Sequence, residues 1–243
     1  MISFSQFLAD LTNPALAFLP KALLVAVLSA LVCGVIGTHV VLRGMAFIGD
    51  AVAHAVFPGL AIAFALQFSV IAGGALAGAV VALLIALFSQ RRRVKEDTII
   101  GIFFAAAFAL GLVVISKVQG YTASLNSFLF GSITGVSNED IIFSAVVGAV
   151  VIVAVATLHK EIVAVSVDRE TAAAMGIRVL LIDVVLYLAV TAAVVMSVRT
   201  VGNILVLALL ITPAATARLW TDRLVVMMIL SAVIGMVLSL IHI

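Results

Sequence analysis

Long apolar runs separated by brief polar joints dominate this chain. Eight are of membrane-spanning length, at residues 22–42, 46–66, 69–88, 98–116, 141–158, 179–198, 203–219 and 224–238. Within each run the apolar positions are continuous rather than alternating, which predicts helices and argues against a spanning β-barrel. About 20 helical residues rise about 30 Å, the depth of a bilayer's hydrocarbon core. The joints at Arg43-Gly44 and Gln67-Phe68 are short enough to close helix hairpins. The expected fold class is all-α, a polytopic transmembrane helical bundle forming a single domain over residues 1–243. Leu8 to Phe18, interrupted by Pro14, reads as a short interfacial helix, so residues 1–21 are expected to lie at the membrane surface. That stretch lacks the basic start and small-residue cleavage site of a secretory signal.

Composition removes the water-soluble alternative. Hydrophobic residues make up 65% and charged residues 10%, with a mean hydropathy of +1.41, against about 45–50% and 25% in soluble domains. The net charge of +2 and the lack of a basic stripe with interleaved aromatics argue against a nucleic-acid partner. The single cysteine, Cys33, lies in an apolar run and reads as a small buried hydrophobe.

Charge also orients the chain. If the run Arg91–Lys95 is cytoplasmic, alternation places Arg43, Lys160, Arg169, Arg178, Arg218 and Arg223 on the same side. Ten basic residues then face inward, against Lys21, Lys117 and Arg199 outside, and the N-terminus is expected to be extracytoplasmic.

Two connections exceed simple joints. The outer one, KVQGYTASLNSFLFGSITGVSNED (117–140), is too polar to span, but its SFLFGSITG patch suits a re-entrant or surface-lying helix. The inner one, HKEIVAVSVDRETAAAMGIR (159–178), holds a compact helix-forming stretch closed by Gly176. An ordinary loop helix or a docking element for a peripheral protein fits it equally. Gly74-x-x-x-Gly78 lets helices approach closely, and packing within the chain is the expected use. The closing LSLIHI (238–243) matches the translation of a transposon sequencing adapter, so it is read as an artefact standing where a further helix is expected.

One stretch carries chemistry. In MAFIGDAVAHAVFPG (45–59), Asp50 and His54 stand one helical turn apart inside an apolar run. Placing a charged residue at mid-membrane costs roughly 2.5–3.5 kcal/mol, so such groups face the bundle interior or a watery path. A carboxylate and an imidazole on one face make half of a site for Zn²⁺ or Mn²⁺, with a dimer axis available to complete it. Two plainer readings fit the same spacing: Asp50 pairs with Arg43, or His54 satisfies a backbone carbonyl. Pro58-Gly59 and Thr212-Pro213 are expected to kink or break their spans, which suits a pathway but is also common packing practice. His39 reads as structural or interfacial, and Asp183 as paired with Arg178 in the headgroup region. The GxxxxGK[ST], HExxH, GxSxG and CxxC patterns are absent, so an ATP-driven process needs its engine on another polypeptide.

Three segments carry a resemblance: VVLRGMAFIGDAVAHAVFPGLAIAF (40–64), SVDRETAAAMGIRVLLIDVVLY (166–187) and TVGNILVLALLITPAATARLWTD (200–222). Together they resemble the zinc/manganese-type (ABC-3 family) permeases of ATP-binding-cassette importers, especially the anchored repeat-type permease branch. The resemblance implies a bacterial cytoplasmic membrane permease without enzymatic activity, working as a two-fold pair with cytoplasmic ATPases and an extracytoplasmic solute-binding protein. It also implies that Asp50 and His54 are metal-pathway residues holding the ion only in transit, with no permanent cofactor. Residues Asp168, Glu170, Ala173 and Gly176 fall in the segment that docks to the ATPase. Gly44 departs from relatives that carry a second arginine there, and such relatives have one more C-terminal helix. A chelated cargo such as haem or a siderophore is the nearest alternative; an intramembrane enzyme using Asp50 and His54 as acid and base lacks a nucleophile beside them.

Overall fold

A computed structural model describes Leu11, Gly131 and residues 13–45, 47–90, 94–117 and 135–242. The basic residues 91–93 and most of the outer connection, including the core of its apolar patch, lie outside the described residues, as do residues 1–10 of the expected interfacial segment. The described residues form ten α-helices and no strand. These are α1 (Phe18–Leu42), α2 (Ile48–Ala65), α3 (Val70–Ser89), α4 (Glu96–Lys117), α5 (Asn138–Thr157), α6 (His159–Val167), α7 (Arg169–Ala174), α8 (Val179–Val201), α9 (Asn203–Trp220) and α10 (Leu224–His242). A 3₁₀ turn at Pro14–Leu16, capped by the Asn13 side chain, precedes α1, which takes up residues 18–21 of the expected surface segment.

Polar residues set the ends. Ser69 caps α3 by accepting from the Ala72 N–H, and Ser137 with Asp140 forms a capping box at the start of α5. The hairpin between α1 and α2 turns through Gly44 at φ +68°, and the one between α2 and α3 through Gln67 at φ 53°. Seven helices are long and apolar enough to cross a bilayer: α1, α2, α3, α4, α5, α8 and α10. The expected span 203–219 forms α9, whose apolar stretch Leu205–Trp220 is shorter than the others.

Helix α8 sits at the centre. It packs on α3 and α2 on one side and on α1 and α5 on the other, while α4 completes the first group and α9 and α10 complete the second. Its Leu186 and Tyr187 are among the largest fully buried side chains. Small residues fix the crossings. A Cβ added to Gly59 would lie 2.3 Å from the Gly73 carbonyl oxygen, and one added to Gly37 would lie 1.8 Å from that of Leu210. Gly74 faces Val56 and Leu60, and Gly78 faces Thr191 and Val56, so the small-residue motif serves packing within the chain. Cys33 is a buried free thiol.

The crossing of α1 and α9 gives a test of this packing. Overfilling a close-packed site costs about 1–3 kcal/mol, and each kcal/mol moves the melting temperature of a chain this size by about 2–4 °C. Gly37→Ala is expected to lower the Tm of the purified protein by several degrees. Gly101→Ala on α4, where nothing lies within 4 Å, should leave it unchanged. Equal Tm values for the two variants would contradict the packing described.

Candidate functional site

Between Ile48 and Ala61 every residue of α2 is buried except Asp50, His54 and Pro58. These three stand at i, i+4 and i+8, and exposed Ile62 extends the line. The accessible stripe of this helix is therefore the one bearing its acid and its imidazole. Asp50 lies in the first turn of α2 rather than at mid-helix, where the positive end of the helix dipole favours its carboxylate. His54 Nδ1 lies 2.9 Å from the Asp50 carbonyl oxygen and 3.3 Å from its Oδ1. A carbonyl oxygen only accepts, so Nδ1 donates and the Nε2 lone pair of the neutral ring is left available. The ring is held edge-on by Phe104 and Phe108 of α4, with centroids 4.9 and 5.1 Å away.

Of the plainer readings, the backbone hydrogen bond of His54 is present. The Asp50–Arg43 pair is not, because Arg43 turns to Asp183 at 2.8 Å and to Ser166 at 2.9 Å. Among the described residues no group of three His, Cys, Asp or Glu side chains gathers within the chain.

Of the expected kinks or breaks at the two prolines, no break occurs. Both Pro58 and Pro213 lie inside continuous helices. Pro58 abuts Gly111 of α4, Gly59 forms the crossing with Gly73, and buried Pro213 lies near Gly235 of α10. Neighbouring helices pack against both prolines, and the helical assignment runs through each of them. Thr212 is exposed, and its carbonyl accepts the Thr216 hydroxyl at 2.8 Å.

Residues 159–178 fold into two short helices, α6 and α7. Asp168 joins them: its side chain caps α7 by accepting from the Glu170 N–H at 3.0 Å and from the Thr171 hydroxyl. Gly176 ends α7 at φ +83°, and the Ile177 N–H returns to the Ala172 carbonyl at 3.0 Å. Ala172 is buried, whereas Glu170, Ala173 and Gly176 are exposed. Two large apolar side chains flank them in the open, Val167 at 82% and Met175 at 72% exposure.

Behind this segment lies a cluster that sequence reasoning missed. Asp183, one turn into α8, is fully buried and does not pair with Arg178. Its Oδ1 accepts from Arg43 at the end of α1, and its Oδ2 accepts from Gln90 at 2.9 Å and from Arg169. Arg169 also donates to Glu96 at 3.2 Å, and Glu96 accepts the Tyr187 hydroxyl. Burial works against the charge of Arg169, but Asp183 and Glu96 hold its guanidinium above its ordinary range. Beside the cluster, a cavity of about 470 Å³ opens among Arg43, Ser89, Glu96, Ser166 and Arg169. The partners are 14 to 140 residues apart, so no local spacing announces them. His39 is buried, its ring 6.0 Å from that of His159 in an edge contact.

The ABC 3 transport family matches residues 15–242. The manganese transport system membrane protein MntC of Halalkalibacterium halodurans is 42% identical over 91% of this chain and 76% of its own length. The chelated iron transport system membrane protein YfeC of Yersinia pestis is 34% identical over 91% of this chain and 75% of its own. Among solved structures, PsaBC from Streptococcus pneumoniae in complex with Fab superimposes with a TM-score of 0.82 at 34% identity, covering 97% of this chain and 84% of that one.

Removing one partner from a buried ion pair costs about 3–5 kcal/mol, because the other charge is stranded. Asp183→Ala, which strands Arg43, is expected to abolish or sharply reduce the yield of folded protein in detergent. Asp222→Ala, which removes only the exposed pair with Arg218, should not alter it. Equal yields and melting temperatures for the two would contradict the buried cluster.

Proposed function

Because the chain belongs to the ABC 3 transport family over residues 15–242, we propose that it is the membrane permease subunit of a bacterial ATP-binding-cassette importer for a divalent metal ion of the manganese or zinc class. The carrying observation is the accessible stripe of α2. A carboxylate and an imidazole in a membrane helix do not face lipid. Their exposure on a single subunit therefore marks a surface turned toward a second permease subunit and the ion route between them. Oxygen and nitrogen donors suit Mn²⁺ and Zn²⁺, and the dimer partner and water supply what one chain lacks.

The geometry suits transit rather than storage. Asp50 offers a carboxylate stabilised by the helix N-terminus, and His54 offers Nε2 from a ring fixed by its own backbone bond and by two phenylalanines. Few ligands and no thiolate favour an ion that enters and leaves. An extracytoplasmic solute-binding protein delivers the cargo, and a cytoplasmic ATPase drives alternating access. The ATPase docks on the α6–α7 segment through exposed Val167, Glu170, Ala173 and Met175, with Gly176 shaping the turn. That segment faces the cytoplasm and the N-terminus faces outward. The manganese relatives, at up to 42% identity, favour a bare ion over the chelated cargo named for the 34% identical relative.

Uptake of radiolabelled manganese and zinc into proteoliposomes holding the assembled importer tests the assignment. Asp50→Ala and His54→Ala are each expected to lower uptake at least about tenfold, the loss of one charged ligand contact, with the complex intact. Unchanged uptake in both would remove them from the route. Separately, Met175→Asp and Val167→Asp should release the co-purifying ATPase, while Leu110→Asn on α4 should retain it. Full retention by the first two would place docking elsewhere.

A further inference from the structure

The geometry points to Arg169 as a positioning residue for transport, linking the ATPase-docking segment to the histidine of the ion stripe. The inference rests on the importer reading above and goes beyond it in naming the mechanical connection.

Arg169 opens α7, directly after the cap residue Asp168, so it moves with the docking segment. Its guanidinium bridges two other helices: Nη1 donates to Glu96 at 3.2 Å and Nη2 to Asp183. Glu96 is the first residue of α4, and the same helix carries Phe104 and Phe108 against His54. Asp183 meanwhile holds Arg43, the C-cap of α1, next to the hairpin that leads into α2. A displacement of α7 is thus felt beside the ion stripe. It pulls the end of α4 through Glu96, while Asp183 and Arg43 hold the base of α2 in place.

The two arms differ in stiffness. Asp183 and Arg43 are almost wholly buried, and Gln90 braces the carboxylate, so this arm is a fixed anchor. The Arg169–Glu96 arm is partly open, with each side chain 22% exposed, and it borders the 470 Å³ cavity. Motion is therefore directed into α4 rather than α8. A helix transmits such a shift along its length, and the rings of Phe104 and Phe108 then change their hold on the imidazole. The pair sets how tightly the docking segment and the His54 pocket move together, without touching ion or ATP.

The test uses the complete importer in proteoliposomes, with ATP hydrolysis and radiolabelled manganese uptake measured on the same preparation. Arg169→Gln and Glu96→Gln are each expected to keep the ATPase bound and hydrolysing at the wild-type rate while ions moved per ATP fall about tenfold. The double variant should be no worse than either single one, since both cut one connection. Glu96→Gln removes the charge that draws Arg169 to α4 while its amide oxygen can still accept from Tyr187, so it reports on coupling if Arg169→Gln folds poorly. Wild-type ion-to-ATP ratios in Glu96→Gln, losses that multiply in the double variant, or release of the ATPase by Arg169→Gln would each overturn the inference. A wild-type complex that hydrolyses ATP but moves neither manganese nor zinc would instead defeat the cargo reading itself.

Discussion

A charge buried in an apolar bundle must find its counter-charge inside the protein, and that constraint arranges this chain. Asp183 shows it most plainly. It has no accessible surface, sits one turn into the central helix, and is met by two arginines and a glutamine from three other elements. Two carboxylates and two guanidinium groups close the cluster without net charge. Because its members come from α1, α4, α7 and α8 together with the residue ending α3, satisfying one carboxylate registers half the bundle.

The same constraint separates the second polar feature from the first. The cluster finds its counter-charges within the chain, whereas the Asp50–His54 pair lies on the accessible stripe, its imidazole held by one backbone oxygen and two rings. A bundle that neutralises one set of charges so completely and leaves another on an accessible stripe has kept the second set for something outside itself. Packing explains what surrounds them. The prolines expected to kink or break their spans lie within continuous helices, so the stripe runs along one unbroken helix.

The helical pattern was legible because continuous apolar runs and short polar joints translate directly into spans and hairpins. All eight expected runs are helices, α9 at 18 residues being as long as α2. The placing of Asp50 and His54 on one helix face was legible too, since their relation is local, one turn along a single helix. The pairing of Asp183 was not. Arg178 is its near neighbour in sequence, but Asp183 lies one turn into α8 facing inward, where Arg43 arrives from 140 residues away. That the helices continue through Pro58 and Pro213 was not legible either, because the neighbours at Gly111 and Gly235 come from distant segments.

Under the proposed function the chain is one half of a gated route: a polar stripe on α2, flanked by α4 and tied by an ionic cluster to the segment proposed to meet the ATPase. Anomalous scattering at the manganese edge from the assembled, manganese-loaded importer addresses that picture at its root. The account predicts a peak between the two permease subunits, at coordinating distance from Asp50 and from His54 Nε2. A manganese peak elsewhere in the membrane, with both side chains turned to lipid, would contradict it.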